Sequence, residues 1–464
     1  MNKQPIKSIK FLCEKLWEFE HDNNLLDLKI NNIYIWQLVR FRIFKNLTTE
    51  LEIYGQAHST SKNINFNKKL KRASKLIFNA IVKNPGSGNY TTDFLIFDHP
   101  RKVNINGENV DIYTYNFIDK YKNMNFDVIE SPYLGEHVTS NNQKNRKYRD
   151  REILLMLAKK NTVKLNISES EELKIKNIEK AFKCYFDFSS IEFYPLVIEQ
   201  MKRFIHGYDY YTKLFKKRKP KCIYLLVSYE FIPIIAAAKD LGIKVIEFQH
   251  GVITDYHFGY NFSDSIKKIK YLPDKLLTFG DYWGRTKRFP KQMELEVYGF
   301  PYLNQQLERY KDIPKKKKQI LFISQGTIGK ELAKLALNIS RNMPDYHFIF
   351  KLHPGEFDRW RSEYTELSTA AKFENFEVID NNKINLYRFL AESDYQIGVY
   401  STAIFEGLTL GCKTVLFNLP GIEYMKDLIN QGIVEVADNV EEATYLIENY
   451  ETKLFSRAYF FKGS

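Results

Sequence analysis

Two short polar segments in the second half of this 464-residue chain carry the residue types best suited to chemistry. The first contains Lys351 and His353, and the second contains Ser401 and Thr402. A lysine and an imidazole donor two residues apart can neutralise a diphosphate as it leaves. Two hydroxyls at the start of a helix suit a phosphate, because the free N–H groups there attract anions. Together the two segments predict a phosphate-binding site.

The second segment also carries an acid, Glu406, in a position to bind a sugar. It follows Thr402 by four residues, which places it on the same helical face one turn further along. A carboxylate there can accept hydrogen bonds from both hydroxyls of a ribose. The alternative is that Ser401 or Thr402 only caps the helix and that Glu406 only favours its positive end. A capping box places the acid three residues after the cap, which weakens this alternative slightly.

These residues can act together only if a sheet brings them to one edge. Pro354 favours an extended conformation for His353 at the exit of a strand, and Gly411 ends the helix that follows Thr402. Apolar patterns predict strands over residues 319–323, 346–352, 376–379, 395–400 and 413–417, with a helix over 403–410. In such a strand-helix-strand arrangement the binding crevice lies beyond the carboxyl ends of the strands.

The loop after the first of these strands contains Gly326 and Thr327 and resembles a phosphate loop superficially. A Walker loop needs four residues between its glycines, and here only two separate Gly326 from Gly329. An ATPase is therefore disfavoured. The loop remains a candidate backbone N–H contact for a donor or acceptor.

The first half of the chain supplies a second set of polar strand exits. His250 is followed by Gly251, which lets the backbone approach a ligand closely. We rank His250 first and Glu230 second as the general base for an attacking hydroxyl. Asp98 and His99 form another exit, for which a structural loop is the favoured interpretation. Strands are predicted over residues 94–97, 111–115, 126–129, 222–227, 244–248, 275–279 and 295–298.

The predicted fold class is α/β, with two Rossmann-like domains facing across a cleft and a helical N-terminal extension. Residues 76–82 form an amphipathic patch, for which packing on the domain is favoured over contact with lipid. The expected divisions are a helical extension over 1–90, an acceptor domain with a helical insertion over 91–304, a nucleotide-sugar donor domain over 315–440, and a C-terminal helix over 441–464 that packs back.

The charge and cysteine content of the chain limit the kinds of binding partner and the cellular compartment that fit it. The net charge is +13, but the 69 basic residues are spread among 56 acids. No zinc-ligand spacing or RNA-binding signature is present, so nucleic acid is disfavoured, whereas an anionic membrane or a phosphorylated acceptor fits. Four widely separated cysteines fit a reducing compartment. No signal-like or membrane-spanning run is found, which predicts a cytoplasmic protein or one at the inner face of the plasma membrane.

The ordered strand exits between residues 220 and 440 resemble bacterial glycosyltransferases of the GT-B fold that build capsule, lipopolysaccharide or teichoic-acid polymers. These include polysialyltransferases and CDP-glycerol glycerophosphotransferases. The resemblance implies that His353-Pro354 and Ser401-Thr402 hold the phosphate of the donor and that Glu406 meets its ribose. In the glycerophosphotransferases a histidine before a glycine is a base or a donor contact, which implies that role for His250. The acidic pair followed by glycine of polysialyltransferases is missing from the first domain.

The resemblance implies transfer of a sugar or sugar-like phosphate unit from a CMP-, CDP- or UDP-linked donor to a glycan or lipid-linked glycan acceptor, without a cofactor. The chain has no Asp-x-Asp metal dyad. Assistance to the leaving group is therefore assigned to Lys351, His353 and the helix start at Ser401, and metal independence is expected. Two alternatives are a nucleotide-sugar epimerase of the same fold and a non-catalytic subunit of a polysaccharide assembly complex. The aromatic and basic helices of the first half favour an acceptor surface over the epimerase.

Overall fold

Apolar segments of the chain become the strands of two separate parallel sheets. The structure, a computed structural model, describes residues 8–53, 66–105, 107–133, 135–138, 145–159 and 163–463. Within these ranges the predicted α/β architecture is confirmed, with two Rossmann-like units and helices at the N-terminal end. No described helix has the length and apolar character needed to cross a bilayer.

The N-terminal helices pack on the first sheet unit and hold one of its loops. Glu20 is buried and accepts hydrogen bonds from Arg40 Nε at 2.9 Å and from the Ser263 N–H at 2.7 Å. Arg40 also donates to the backbone carbonyls of Phe258 and Asn261. This ion pair fixes the loop that follows His250. The elements are α1 (Ile9–Asp22), β1 (Lys29–Ile30), β2 (Ile33–Tyr34), α2 (Ile35–Glu50) and α3 (Phe66–Val82).

The first large sheet has the strand order β11-β10-β9-β8-β3-β6-β7, and every pairing in it is parallel. All carboxyl ends therefore meet at one edge. Its elements are β3 (Phe94–Phe97), β4 (Val103–Ile105), β5 (Glu108–Val110), α4 (Tyr115–Lys120), β6 (Phe126–Glu130), β7 (Arg146–Tyr148), α5 (Asp150–Lys159), α6 (Glu169–Tyr185), α7 (Phe193–Arg218), β8 (Cys222–Leu225), α8 (Ile232–Asp240), β9 (Lys244–Phe248), β10 (Lys275–Thr278), β11 (Glu294–Val297) and α9 (Pro301–Tyr310).

The prediction of a strand over residues 111–115 is wrong, because this segment forms a turn that leads into a helix. A short hairpin, β4-β5, precedes this segment, and helix α4 begins at Tyr115. The Asp111 carboxylate accepts from the Thr114 hydroxyl at 2.7 Å and from the Tyr113 N–H at 3.1 Å. Such local side-chain bonds turn the backbone and compete with strand pairing.

The second sheet has the order β14-β13-β12-β15-β16-β17, again with parallel pairings throughout. Residues 320–323 and 348–350 in two of its inner strands are continuous apolar runs, because helices cover both faces of the sheet. Its elements are β12 (Lys316–Ile323), α10 (Gly329–Asn342), β13 (His347–Lys351), α11 (Trp360–Glu363), α12 (Thr365–Ala370), β14 (Phe376–Ile379), α13 (Leu386–Glu392), β15 (Ser393–Gly398), α14 (Thr402–Thr409), β16 (Lys413–Phe417), α15 (Lys426–Asn430), β17 (Glu435–Ala437), α16 (Val440–Glu448) and α17 (Arg457–Phe460).

The C-terminal segment ties the two units together. Helix α16 packs on the second unit, whereas α17 lies against the first. Trp283 Nε1 donates to the carbonyl of Phe460 at 2.6 Å, and the N–H of Lys462 donates to the carbonyl of Phe279 at 2.8 Å. A Cβ on Gly280 would lie 2.5 Å from the Phe460 carbonyl oxygen, so only glycine allows this approach. The two sheets therefore share an apolar interface.

Candidate active site

Three neighbouring strands of the second sheet deliver the predicted residues to one edge. Strand β12 lies between β13 and β15, so the loop that begins at Ser324 is flanked by His353 on one side and Ser401 on the other. Within that loop, the Thr327 hydroxyl lies 3.1 Å from the hydroxyl of Tyr400. Gly326 accepts a hydrogen bond from Arg359 through its carbonyl at 2.7 Å. The sheet thus groups all three predicted segments.

A buried acid, Glu356, fixes the loops around His353. It accepts hydrogen bonds from the Ser324 hydroxyl at 2.9 Å, the Tyr364 hydroxyl at 2.8 Å and the His353 N–H at 2.7 Å. A Cβ on Gly329 would lie 1.9 Å from Glu356 Oε1. Only glycine at this position lets the start of α10 lie this close to the Glu356 carboxylate. The backbone of His353 is therefore held in one conformation.

The hydrogen bonds of His353 assign its tautomer. Its Nδ1 accepts from the N–H of Gly355 at 3.2 Å, so in the neutral ring Nε2 carries the hydrogen. Burial lowers the pKa of His353 to about 4, and the nearby charges of Arg101, Lys351 and Arg359 act in the same direction. The imidazole is therefore neutral near pH 7 and donates through Nε2. A neutral donor of this kind stabilises negative charge without losing its proton.

The two hydroxyls at the start of α14 differ in their hydrogen bonding. Ser401 Oγ accepts from the N–H of Ala403 at 3.2 Å, which is the capping role considered for it. The Thr402 hydroxyl makes no hydrogen bond within the described chain. A Cβ on Gly251 would lie 4.0 Å from Thr402 Oγ1. The helix start thus faces the first sheet unit.

Glu406 lies one turn further into α14 and is only 8% exposed. Burial raises its pKa to about 7, and a hydrogen bond from the Tyr387 hydroxyl limits the rise. Burial raises the pKa of Tyr113, which belongs to the first unit, and the nearby charge of Glu406 raises it further. The carboxyl group therefore lies where the two units meet and titrates near neutral pH.

The pKa of Glu406 predicts that Glu406→Gln stabilises the protein at alkaline pH. Because the pKa rises from its ordinary value near 4.5 to about 7 on folding, the folded state binds the proton more tightly. The wild type therefore loses stability as pH rises from about 4.5 to 7, by roughly 3 kcal/mol in total. Gln cannot ionise and escapes this loss. Thermal unfolding should show the variant to be more stable at about pH 8 and close to wild type at about pH 5; equal differences at both pH values contradict the assignment.

Lys351 is near His353 but its ammonium group is engaged elsewhere. It donates to the carbonyl of Asn381 at 2.9 Å and to Asn382 Oδ1 at 3.2 Å. Burial lowers its pKa to about 8. In the structure Lys351 anchors the loop after β14, and its contact with a phosphate stays a prediction.

The first unit faces this edge with histidines and an arginine. The rings of His99 and His250 are 6.3 Å apart, and His250 Nε2 lies 3.5 Å from the Tyr229 hydroxyl. Burial, together with His257 and His99, lowers the pKa of His250 to about 3. Its Nδ1 is buried without a partner in the described chain. His250 is therefore neutral near pH 7, and one of its two ring nitrogens is unprotonated.

Arg101 is a cleft residue that the sequence did not reveal. It is exposed, its charge lowers the pKa of His353 across the cleft, and its guanidinium makes no hydrogen bond within the described residues. A single arginine after His-Pro belongs to no recognisable sequence motif. Only the tertiary structure shows that Arg101 lies in the cleft. The neighbouring Asp98 is structural, since it pairs with Arg146 at 2.7 Å.

Glu230 lies apart from the cleft. The 3-10 turn Ser228–Glu230 directs it to a cavity of about 490 Å³ between α2, α7 and the first sheet. Tyr229 forms part of the wall between this cavity and His250. The cavity is lined by aromatic rings and by polar and basic groups, among them Phe41, Tyr271, Arg42, Lys45, Arg203 and Gln200. The Gln200 amide nitrogen is buried and has no partner in the described chain.

Two parallel sheets whose polar strand exits approach each other have the arrangement of the GT-B fold. Among the described residues, no group of three or more His, Cys, Asp or Glu side chains is placed to hold a metal ion. The sequence matches no protein-family model.

A relative in sequence is the uncharacterized protein MJ1060 of Methanocaldococcus jannaschii, with 30% identity over 187 residues, or 37% of this chain. The chain spans 31% of the length of that relative. Similar solved structures include a UDP-GlcNAc 2-epimerase from the same organism, with 10% identity, 80% of this chain and 96% of that chain covered, and a TM-score of 0.47. MurG from Acinetobacter baumannii is 12% identical, with 80% and 92% covered and a TM-score of 0.43. These likenesses concern the fold alone.

Proposed function

We propose that the protein is a glycosyltransferase that moves a sugar, or a sugar-like phosphate unit, from a nucleotide-activated donor to a growing bacterial surface polysaccharide. The observation that carries this proposal is the common edge formed by His353, the loop at Thr327 and the start of α14. The His353 Nε2–H and the Thr402 hydroxyl would bind the phosphate, and Glu406 would accept the ribose hydroxyls. CMP, CDP and UDP are the candidate donor nucleotides.

The same groups would stabilise the leaving phosphate. As the bond from the sugar to the phosphate breaks, negative charge develops on the phosphate oxygens, and preorganised donors lower the energy of that state. His353 provides such a donor from the second unit, the positive end of α14 adds its dipole, and Arg101 adds a cation from the first unit. Lys351 positions the neighbouring loop and adds positive charge.

Metal independence follows from this set of donors. We expect turnover to be unchanged in the presence of EDTA and after addition of magnesium or manganese. Activity that disappears in chelator and returns with either metal would show that the protein side chains do not suffice for the leaving group.

The acceptor is assigned to the first unit. Its attacking hydroxyl would lie beside His250, which takes the proton as the new bond to the sugar forms. A diphosphate nearby would raise the low pKa of His250, because an opposite charge favours the protonated ring. The aromatic cavity next to Tyr229 would hold the adjoining sugar residues, with its rings stacking on them and Arg42 and Lys45 meeting acidic groups. In this arrangement Glu230 contacts the acceptor glycan.

A thermal-shift screen against UDP, CDP, GDP and CMP tests the donor site directly. Binding of one nucleotide stabilises the folded state by RT ln(1 + [L]/Kd) and so raises the melting temperature more as its concentration increases. Thr402→Val should reduce this shift without lowering the melting temperature of the free protein. Absence of a shift with every nucleotide contradicts the proposal and favours a non-catalytic subunit. Release of a free epimer from the nucleotide-sugar, without growth of an acceptor glycan, identifies an epimerase instead.

A further inference from the structure

Helix α3 turns an apolar face to solvent, and no described part of the chain covers it. Leu70, Ile77, Phe78, Ile81 and Val82 are 62%, 50%, 63%, 68% and 53% exposed, respectively. Their spacing places them on one side of the helix. A contiguous apolar face of this kind marks a binding surface.

The opposite side of α3 is already used for packing. Ala80 is buried, and the Asn79 side chain donates to Asp150 of α5 at 3.3 Å. The helix is therefore held on the first unit, as the sequence favoured, while its apolar face points away. Packing and an exposed apolar face coexist because they use different sides of the helix.

The charge on α3 identifies the kind of surface that this face fits. Phe66–Val82 contains five basic residues and no acid. Lys71 and Lys75 are exposed and form no ion pair with a described residue. Free cations beside an apolar face are what an interfacial helix uses to bind anionic headgroups while its apolar side chains enter the acyl boundary.

Helix α5, on which α3 packs, extends the apolar surface. Its Leu157 is 59% exposed. A second cavity of about 430 Å³ begins there and is lined by Met156, Leu157, Pro195, Ile198, Lys202 and Arg203. Its wall is mostly apolar and includes Lys202 and the ion pair of Arg203 with Glu199 at 2.7 Å. Met156 and Arg203 also line the aromatic cavity assigned to the acceptor.

We propose that α3 and the exposed end of α5 dock on an anionic lipid bilayer. The docked protein would hold the aromatic cavity close to the membrane surface, within reach of a glycan attached to a lipid. This last consequence rests on the proposed glycosyltransferase function, but the docking itself does not.

Vesicle co-sedimentation tests the docking. The full chain should bind vesicles of phosphatidylglycerol and phosphatidylcholine much more strongly than vesicles of phosphatidylcholine alone, and high salt should release it. Phe78→Asp combined with Ile81→Asp should weaken binding about tenfold or more. Lys71→Glu combined with Lys75→Glu should remove the preference for anionic vesicles.

Matched control variants distinguish docking through α3 from nonspecific binding to vesicles. Ile266 and Leu454 are 74% and 96% exposed elsewhere on the chain, and replacing both by Asp should leave vesicle binding unchanged. Lys317→Glu, at another exposed lysine, should also have no effect. Nucleotide binding in the thermal-shift screen should be the same for every one of these variants, so a failed donor site and a failed docking surface give different results.

Three results overturn the proposal. The first is no sedimentation with anionic vesicles. The second is equal binding by the wild type and the Phe78→Asp, Ile81→Asp variant. The third is that light scattering shows the wild type to be a dimer that does not bind vesicles and shows the double variant to be a monomer. The apolar face would then join two copies of the chain.

Discussion

His353→Ala is expected to lower kcat/KM for sugar transfer by about 10²–10³-fold, which is the cost of removing one preorganised donor to developing negative charge. The neutral ring donates through Nε2 because Nδ1 accepts from Gly355. Alanine removes this donor without disturbing Glu356, which holds the loop through the backbone of residue 353. Initial rates over a range of donor concentrations provide the measurement.

His347→Ala is the matched control, because His347 is an exposed histidine at the other end of the same strand. It should retain wild-type kcat/KM. The pH dependence is a second check. Since the pKa of His353 in the free protein is about 4, the ratio of wild-type to variant kcat/KM should stay constant from about pH 6 to 8. A ratio that falls through pH 6.5 shows that the protonated ring acts, which contradicts the assigned tautomer.

Arg40→Ala is expected to cost about 3–5 kcal/mol of stability, because it leaves the Glu20 carboxylate buried without its positively charged partner. Arg40 joins Glu20 at 2.9 Å and also donates to two carbonyls of the loop that follows His250. Loss of the arginine therefore loosens the N-terminal helices and the first-unit side of the cleft together. Thermal or chemical unfolding measures the change.

Arg42→Ala, two residues further along α2, is the control. Arg42 is exposed and forms no ion pair with a described residue, so its replacement should change the free energy of unfolding by less than about 0.5 kcal/mol. If Arg40→Ala has an equally small effect, the buried ion pair does not hold the extension in place.

The sequence predicted most strands because they are short, buried and rich in apolar residues. The runs at 94–97, 126–129, 244–248, 376–379 and 413–417 match the observed strands, and the exits that follow them meet at the sheet edges. The 111–115 segment has the same apolar and aromatic character, yet the Asp111 carboxylate bends it into a helix start. A local hydrogen bond of this kind has no periodic signal.

Side-chain roles were harder to predict than strand positions. Alternation placed Lys351 on the face of His353, but it could not show that the carbonyl of Asn381 takes the ammonium group. Glu230 and His250 both follow neighbouring strands, yet the 3-10 turn after β8 sends Glu230 into a separate cavity. Arg101 belongs to the first unit and His353 to the second, so they come near each other only because the two units pack together. These outcomes depend on tertiary packing.

The most direct measurement is a structure of the protein with the nucleotide selected by the thermal-shift screen. We expect a phosphate oxygen within hydrogen-bonding distance of His353 Nε2 and of Thr402 Oγ1, with the ribose toward Glu406. A nucleotide bound elsewhere, or a phosphate held by only one of these two strand exits, contradicts it.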